Sequence, residues 1–269
     1  MARHGASSDP EIVEIIDFLK VHPEITLPDS PFIPYDFAIG APSFTKAVCG
    51  PDETGFRYVV HNGRKVYYPK DMDPFEIGLT YRGAVVEQDV RSPHRYLEGL
   101  ATVDEGDVVA LVGASDGIFC LSMIERVSRA HLFEPEQRWM EPLALTLKPW
   151  ADKIEIVNRF VGAKTEDRTV GLDEYFAGKT EPNFIQIDTE GAESAILSGA
   201  MGILQRSTKI RLSVCTYHRD GDFAEFTQFF KRLGFDVAAS HGYFIFGLRD
   251  PFIRRALIHA ARNGAKSAG

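Results

Sequence analysis

The chain has 269 residues, of which 44% are hydrophobic and 25% charged, and this ordinary globular composition excludes disorder over most of its length. A chain of this length removes roughly three quarters of its unfolded surface from water, so it builds a core without help from disulfides. The 30 basic and 38 acidic residues give a formal net charge of -8, which repels a polyphosphate backbone. We therefore expect no nucleic acid partner.

The cysteines and the polarity of the chain predict a cytoplasmic protein. Cys49, Cys120 and Cys215 are widely spaced and odd in number, so we expect them to be reduced and buried. The N-terminal stretch carries Glu11 and Glu14 where a signal peptide would be apolar. No run approaches about 18 uninterrupted apolar residues, so nothing predicts stable insertion in a membrane.

Residues 1–100 are predicted to form an N-terminal extension rather than a core of their own. Asp9, followed by a proline, is a typical N-cap for an amphipathic helix. The prolines between positions 23 and 51 indicate a wrapped loop segment. Two alternating runs on either side of Asn62 and Gly63 predict a β-hairpin with a type I′ turn. We expect this extension to cover the carboxyl edge of the sheet and the site at which a substrate, the acceptor, binds there.

Residues 101–250 are predicted to form a Rossmann-like α/β domain with a mostly parallel sheet. Short apolar runs alternate with helical stretches, the pattern of parallel strands joined by helices on both faces. A tight reversal at Gly242 predicts that the last strand is antiparallel. Residues 251–269 are predicted to form a short basic helix and tail. The predicted strands are 108–112, 131–133, 154–157, 184–187, 210–215, 237–239 and 243–246, and the predicted helices are 118–129, 136–147, 192–205 and 223–233.

The first strand of this domain runs into a turn from Gly113 to Gly117. Glycines in such a turn let a ligand approach the backbone at a helix N-terminus. The turn has only two glycines, so it lacks the GxGxxG fingerprint, and a nicotinamide-dependent oxidoreductase ranks last among the functions considered. Glu134 follows Gly113 by 21 positions, at the end of the second predicted strand, where an acid can accept both hydrogen bonds of a ribose diol. Together the two features favour an adenosine ligand over a purely structural turn.

Further candidate residues follow the fourth and fifth predicted strands. Asp188 lies at the tip of the fourth strand, where ligands bind in open α/β sheets. Glu193 is interpreted as an acid that charges the first turn of the next helix. His218 follows the fifth strand and lies beside Asp188 if the strand order is the usual one, so a site role and a structural role both stay open. His94 is a candidate from the N-terminal extension, although a solvent-exposed loop histidine is the favoured interpretation.

Five segments of the main domain carry a family resemblance. They are Gly113-Ala114 with Gly117, Phe133-Glu134-Pro135, Leu172-Asp173-Glu174, the run from Ile187 to Glu193 followed by Gly199-Ala200, and Tyr217-His218. In this order they resemble the FkbM family of S-adenosylmethionine-dependent methyltransferases, over roughly residues 101–247. The run Asp-x-Glu-Gly-Ala-Glu is the most specific of these motifs.

The resemblance implies a Rossmann-like methyltransferase sheet and methyl transfer from S-adenosylmethionine, usually to oxygen. The residues that it implies for the methionine part of the cofactor are Gly113, Ala114, Asp116 and Gly117, with Glu134 at the ribose. Family members generally have an acid at the end of the first strand, where this chain has Leu111. That change weakens cofactor binding or shifts the task of holding the ammonium group to Asp116.

Methyl transfer to a hydroxyl requires that the methyl donor and the hydroxyl be aligned, that water be excluded and that a base remove the hydroxyl proton. The candidates for the base are Asp188, His218 and His94, and the predicted acceptor is a small molecule or glycan. Asp188 with Glu190 provides too few acids to predict a metal. The alternative, which Leu111 favours, is a methyltransferase-fold protein that has lost catalysis and acts as a binding or regulatory partner.

Overall fold

The computed structural model describes residues 8–22, 33–246 and 252–264. Its α-helices are α1 (Pro10–Val21), α2 (Asp36–Ile39), α3 (Pro74–Glu87), α4 (Ile118–Met123), α5 (Met140–Thr146), α6 (Leu172–Tyr175), α7 (Glu193–Gly199), α8 (Met201–Arg206) and α9 (Asp222–Arg232). Short 3₁₀ helices cover Phe44–Ala47, Gln137–Trp139 and Lys148–Trp150. Its strands are β1 (Tyr58–His61), β2 (Arg64–Tyr67), β3 (Val108–Val112), β4 (Arg129–Phe133), β5 (Ile154–Val157), β6 (Phe160–Gly162), β7 (Thr169–Gly171), β8 (Phe184–Ile187), β9 (Lys209–Cys215), β10 (Asp236–Ala239), β11 (Phe244–Phe246), β12 (Phe252–Arg254) and β13 (Leu257–Asn263).

Seven strands form the central sheet, in the order β10-β13-β9-β8-β3-β4-β5. Strands β3, β4, β5, β8 and β9 are parallel, and β13 is antiparallel to both β9 and β10. The chain moves outward from β3 to β5 and then returns to the other side of β3 with β8. The boundary between β3 and β8 is therefore the topological switch point, where open α/β sheets bind ligands. This topology confirms the predicted fold class, a mostly parallel Rossmann-like sheet with an antiparallel last strand.

The sheet is buried on both faces, as β3 illustrates. All five of its residues are buried. Val109 and Leu111 belong to a core cluster with residues of α4 and α5, whereas Ala110 and Val112 belong to a second cluster with residues of α7, α8 and α9. A strand covered by helices on both faces reads as a continuous apolar run, which is why its sequence identified it clearly.

The N-terminal extension contains the helix and the hairpin that its sequence predicts. The side chain of Asp9 accepts the backbone N–H of Glu11 and caps α1. Strands β1 and β2 pair across Asn62 and Gly63, whose φ values of 50° and 78° fit a type I′ turn. Helix α3 was not predicted from the sequence. Its apolar residues include the exposed Phe75, so they do not form one clear apolar face.

The C-terminal segment differs most from the prediction. Residues 257–263 form β13, between β9 and β10, where a short basic helix was predicted. Residues 257–261 are buried in a row, and a strand with neighbours on both sides and cover on both faces lacks the alternation that identifies strands in sequence. Residues 243–246 do not fold back on 237–239 at Gly242, because β11 pairs with β12 in a separate small sheet. The antiparallel last strand is thus β13.

Smaller differences concern helix lengths and one cysteine. The predicted helix 192–205 is divided into α7 and α8, and the strands β6 and β7 were not predicted. Gly199 ends α7 against β6, since a Cβ atom there would lie 2.0 Å from the carbonyl oxygen of Gly162. Cys120 and Cys215 are buried as predicted, but Cys49 is partly exposed, and all three are free thiols. Within the described ranges, every helix is too short or too polar to cross a bilayer.

Candidate active site

A cavity of about 940 Å³ opens at the carboxyl ends of β3, β4 and β8. This volume lies at the upper end of the range of about 300 to 1,000 Å³ that is usual for small-molecule sites. The residues that line it include Gly113–Asp116 after β3, Glu134 after β4, Asp188–Glu190 after β8, Tyr217 and His218 after β9, and Glu87 of α3. Most of the predicted site residues therefore share one cavity at the switch point.

The two glycines of the turn have different structural roles. Gly113 has a φ of 86°, and a Cβ atom on it would lie 1.9 Å from the carbonyl oxygen of Asp188. A glycine here lets the tips of β3 and β8 approach each other. Gly117 also has a positive φ of 79°, but it precedes α4 beside Leu143 and does not line the cavity. Its predicted contact with the cofactor therefore has no support from its position.

Glu134 is held in place by backbone hydrogen bonds. Its Oε2 accepts the N–H of Ser115 at 3.0 Å and its Oε1 accepts the N–H of Glu136 at 2.9 Å. Burial raises the pKa of Glu134 above its ordinary value, although these two N–H groups act in the opposite direction. A carboxylate has about four acceptor positions, so each oxygen can still accept a bond from a ribose hydroxyl.

Asp116 provides a carboxylate in the same cavity as Leu111, which stands where the resemblance implies an acid. Its Oδ1 accepts the N–H of Ile118 at 3.0 Å, and its Oδ2 accepts the hydroxyl of Tyr68 at 3.2 Å. Burial raises the pKa of Asp116 to about 6. Leu111 is 2% exposed and packs in the core. A cationic ligand in the cavity would favour the charged form of Asp116, because an opposite charge nearby lowers the pKa of a carboxyl.

His218 is paired with Glu193 rather than standing alone. The Nδ1 atom of His218 lies 2.9 Å from Oε1 of Glu193, and the two side chains are 6% and 1% exposed. The same oxygen accepts the N–H and the hydroxyl of Thr189 at 3.0 and 2.9 Å. Burial by itself lowers the pKa of His218, but Glu193 and the charges of Asp188 and Glu190 outweigh it and raise that pKa. Glu193 does begin α7, but its buried carboxylate makes the interpretation as a mere helix-end charge incomplete.

Asp188 has tyrosine and histidine neighbours on both of its oxygens. The hydroxyl of Tyr96 donates to Oδ2, and the hydroxyl of Tyr217 donates to Oδ1 at 3.1 Å. Nε2 of His94 lies 3.5 Å from Oδ2, and Nε2 of His218 lies 3.9 Å from Oδ1. Burial raises the pKa of Asp188, but His94, the Tyr96 hydrogen bond and His218 together lower it below its ordinary value.

His94 is buried, and its interpretation as an exposed loop residue is wrong. Its side chain is 0% exposed, and its ring lies 5.3 Å from that of Tyr217 and 5.4 Å from that of Phe244. The extension here packs against Tyr217, which follows β9, and against Phe244 of β11. No local pattern predicts such a contact between distant parts of the chain. All three candidates for the base are therefore neighbours, although His94 lies behind the cavity wall.

Sequence reasoning missed Glu87. It lies at the end of α3 and faces the cavity, where burial and the charges of Asp188 and Asp116 raise its pKa to about 8. No motif surrounds it, and the helix that positions it was not predicted. Tyr217, by contrast, was within reach of a sequence argument, because it directly precedes His218 at the end of β9.

The fold and the cavity at its switch point define a Rossmann-like protein of the type that the methyltransferase resemblance implies. Residues 148–237 match the family model described as the methyltransferase FkbM domain. The resemblance is thereby confirmed for this segment, which covers 90 of the 269 residues. The matched segment includes Asp188, Glu193 and His218, whereas the glycine turn and Glu134 precede it.

Solved structures of several methyltransferases are similar to the chain, although a comparison with curated proteins finds no match. A methyltransferase from Geobacter sulfurreducens is 17% identical with a TM-score of 0.44, covering 72% of this chain and 90% of its own. The C-terminal domain of precorrin-6Y C5,15-methyltransferase from Rhodobacter capsulatus is 14% identical with a TM-score of 0.45, covering 66% and 94%. An rRNA methylase from Streptococcus thermophilus is 13% identical with a TM-score of 0.41, covering 60% and 89%. The names of these neighbours do not agree on an acceptor.

Proposed function

We propose that the protein transfers a methyl group from S-adenosylmethionine to a hydroxyl of a small molecule or glycan. The observation that carries this proposal is His218, which lines the same cavity as the glycine turn and Glu134 and is paired with the buried Glu193 behind it. S-adenosylmethionine supplies an electrophilic methyl group when it is bound. The pair supplies what a hydroxyl acceptor needs, which is a base in a defined orientation.

Carboxylates around the cavity fit a cationic cofactor. Glu134 has acceptor positions for a ribose diol, and Asp116 is a buried carboxylate at the turn for an ammonium group. The backbone of Gly113 and Ala114 lines the space between them. A sulfonium cofactor carries positive charges that these acids stabilise by Coulomb attraction in a setting shielded from water.

Among the three candidates for the base, His218 has the best environment. Asp188 is surrounded by donors and imidazole rings, and its lowered pKa makes it a weak base. His94 does not line the cavity, and burial lowers its pKa. His218 lines the cavity, and its Nδ1 faces Glu193, so Nε2 is the nitrogen left to accept a proton.

In the proposed reaction, the acceptor oxygen would bond to the methyl carbon as the bond between that carbon and the sulfonium sulfur breaks, which would leave S-adenosylhomocysteine. The hydroxyl proton would pass to Nε2 of His218. The negative charge of Glu193 stabilises the imidazolium that results. Asp188 lies 3.9 Å from Nε2 and adds to the same effect. The extension contributes α3 to the cavity wall and so excludes water from the reacting groups.

The acidity of the cavity supports an acceptor without phosphate groups. Six acidic side chains line the same space, those of Glu87, Asp116, Glu134, Glu136, Asp188 and Glu190. The raised pKa of Glu87 favours its neutral form, so the negative charge of this space comes from the others. A phosphate would meet like charges there, whereas a neutral polyol or an amine-bearing sugar would not. The net charge of the whole chain, -8, is also negative and likewise repels a phosphate group.

The pH dependence of turnover tests the role of Glu193. Because its carboxylate stabilises the protonated form of His218, we expect turnover to rise with pH as His218 loses its proton. In Glu193→Gln the charge is gone, so the pKa of His218 falls and the midpoint of the acidic limb moves to lower pH. The measurement is the pH profile of kcat with saturating cofactor and acceptor.

Glu190→Gln is the matched control for this experiment. It makes the same change from carboxylate to amide, but its side chain is exposed and contributes less to the pKa of His218. We expect a smaller shift of the midpoint in this variant. An unchanged midpoint in Glu193→Gln, with the fold intact by circular dichroism, would show that His218 is not the titrating base.

A second candidate function is a non-catalytic binding protein, and one observation favours it. Leu111 is buried at the position where the family generally has an acid. Asp116 offsets this change in the proposal above. Binding of S-adenosylmethionine without transfer to any hydroxyl compound in a broad panel would favour the second candidate.

A further inference from the structure

Three potential metal ligands meet at the wall of the cavity, which Asp188 lines and behind which the other two lie. They are Nε2 of His94 in the extension, the carboxylate of Asp188 after β8, and Sγ of Cys215 at the end of β9, and these atoms all lie within 4.8 Å of one another. His94 and Cys215 are fully buried. From this geometry we infer that His94, Asp188 and Cys215 form a binding site for a zinc ion.

The two distances from His94 to the other ligands fit the edges of a zinc tetrahedron. Bonds of about 2.0 Å to nitrogen and oxygen and about 2.3 Å to sulfur separate nitrogen from oxygen by about 3.4 Å and nitrogen from sulfur by about 3.6 Å. Nε2 of His94 lies 3.5 Å from Oδ2 of Asp188 and 3.6 Å from Sγ of Cys215. A distance of 3.5 Å is long for a direct hydrogen bond, because N–H···O bonds are usually about 2.7 to 3.2 Å long.

The second nitrogen of His94 is an independent observation in favour of a metal. Within the described residues, Nδ1 of His94 is buried and has no hydrogen-bond partner. The carboxylate of Glu87 is its nearest acid, with Oε2 at 3.9 Å. Histidines that bind metals usually direct the other ring nitrogen at a carboxylate, which fixes the ring and its tautomer. Glu87 would be this outer carboxylate.

The donor set favours zinc over magnesium. A thiolate and an imidazole with a single carboxylate suit zinc, whereas magnesium prefers oxygen ligands throughout. Binding requires the Cys215 thiol to lose its proton, which passes to solvent. Three protein ligands leave one position open, as in catalytic zinc sites. Glu190, which the sequence placed beside Asp188, is exposed and does not belong to this set.

The site adjoins the cavity through Tyr217. Its hydroxyl lies 3.3 Å from Nε2 of His94, and its side chain lines the cavity. A zinc ion at this site would lower the pKa of a hydroxyl bound to it. With Asp188 and His94 as ligands, His218 is the remaining base of the three. The metal site itself does not rest on methyl transfer, because its occupancy is measured without any reaction.

Elemental analysis tests this site directly. Protein purified without a metal-binding tag and dialysed against metal-free buffer is expected to contain about one zinc ion per chain, or to take up one from added zinc chloride. Cys215→Ser and His94→Gln are each expected to lose nearly all of it. Cys120→Ser is the matched control, because Cys120 is also a buried free cysteine but lies outside the site. It is expected to retain the zinc.

Cobalt provides a second measurement on the same variants. Cobalt-loaded protein is expected to show a sulfur-to-cobalt charge-transfer band that Cys120→Ser keeps and Cys215→Ser loses. Absence of tight zinc and cobalt binding in the unmodified chain would overturn the inference. So would a zinc content that neither Cys215→Ser nor His94→Gln reduces. If Cys215→Ser does not fold, His94→Gln and the unmodified chain still give the answer.

Discussion

Replacement of His218 by alanine is expected to lower methyl transfer by roughly 10²- to 10⁴-fold, the usual contribution of a positioned base. Cofactor affinity is expected to change little, because the cofactor residues Glu134 and Asp116 lie at the ends of other elements. The measurement is the transfer of a labelled methyl group from S-adenosylmethionine to the best acceptor from a panel of sugars, glycans and other alcohols. In His218→Ala, the residual rate should keep rising with pH as hydroxide replaces the missing base.

His241→Ala is the matched control for this substitution. His241 is also a histidine with a carboxylate neighbour, since its Nδ1 lies 2.8 Å from Oε1 of Glu98, but it is half exposed and outside the cavity. We expect this variant to keep the activity of the unmodified chain. Full activity in His218→Ala would refute the assignment of the base and return attention to Asp188.

Gly113→Ala is expected to cause the largest loss of stability among single substitutions at the site. The new Cβ would lie 1.9 Å from the carbonyl oxygen of Asp188, and the residue would keep a φ of 86° that L side chains rarely adopt. To make room for this Cβ atom, the tips of β3 and β8 would have to move apart, and two central strands would be disturbed. We expect the free energy of unfolding to fall by about 3 kcal/mol or more, measured by denaturant unfolding.

Gly106→Ala separates the two causes of that loss. Gly106 has a similar φ of 81°, but nothing lies within 4 Å of a Cβ atom placed on it. Its alanine variant is expected to lose only about 1 to 2 kcal/mol, the cost of the backbone conformation. Equal losses in the two variants would mean that the contact with Asp188 is relieved at little cost, contrary to the close approach described here.

Local patterns were sufficient for the parts of the fold in which each residue's neighbours are close in sequence. The hairpin follows from Asn62 and Gly63, since few residues accept the positive φ values of a type I′ turn. Strand β3 follows from an apolar run that ends at glycine. Strand β13 could not be predicted in the same way, because its identity depends on the gap between β9 and β10 that it fills.

The site was predictable to the extent that sheet topology brings distant residues together. Asp188 and His218 end the adjacent parallel strands β8 and β9, so their proximity follows from the strand order. The pairing of His218 with Glu193 could not be predicted from the sequence. An acid in the first turn of a helix usually faces solvent, whereas Glu193 is 1% exposed. His94 and Glu87 come from the extension, and only its three-dimensional path over the sheet brings them to the cavity.

Calorimetric titration with S-adenosylmethionine and S-adenosylhomocysteine is the most direct test of the central claim that this cavity binds the cofactor. We expect micromolar binding of both ligands, roughly -8 kcal/mol, to the unmodified chain. Glu134→Ala is expected to lose most of this affinity, because it removes the carboxylate at the ribose position. Glu141→Ala is the matched control and is expected to keep the affinity, because Glu141 is an exposed acid of α5 that does not line the cavity. No binding of either ligand to the folded chain, or equal binding to the Glu134→Ala variant, would contradict the account.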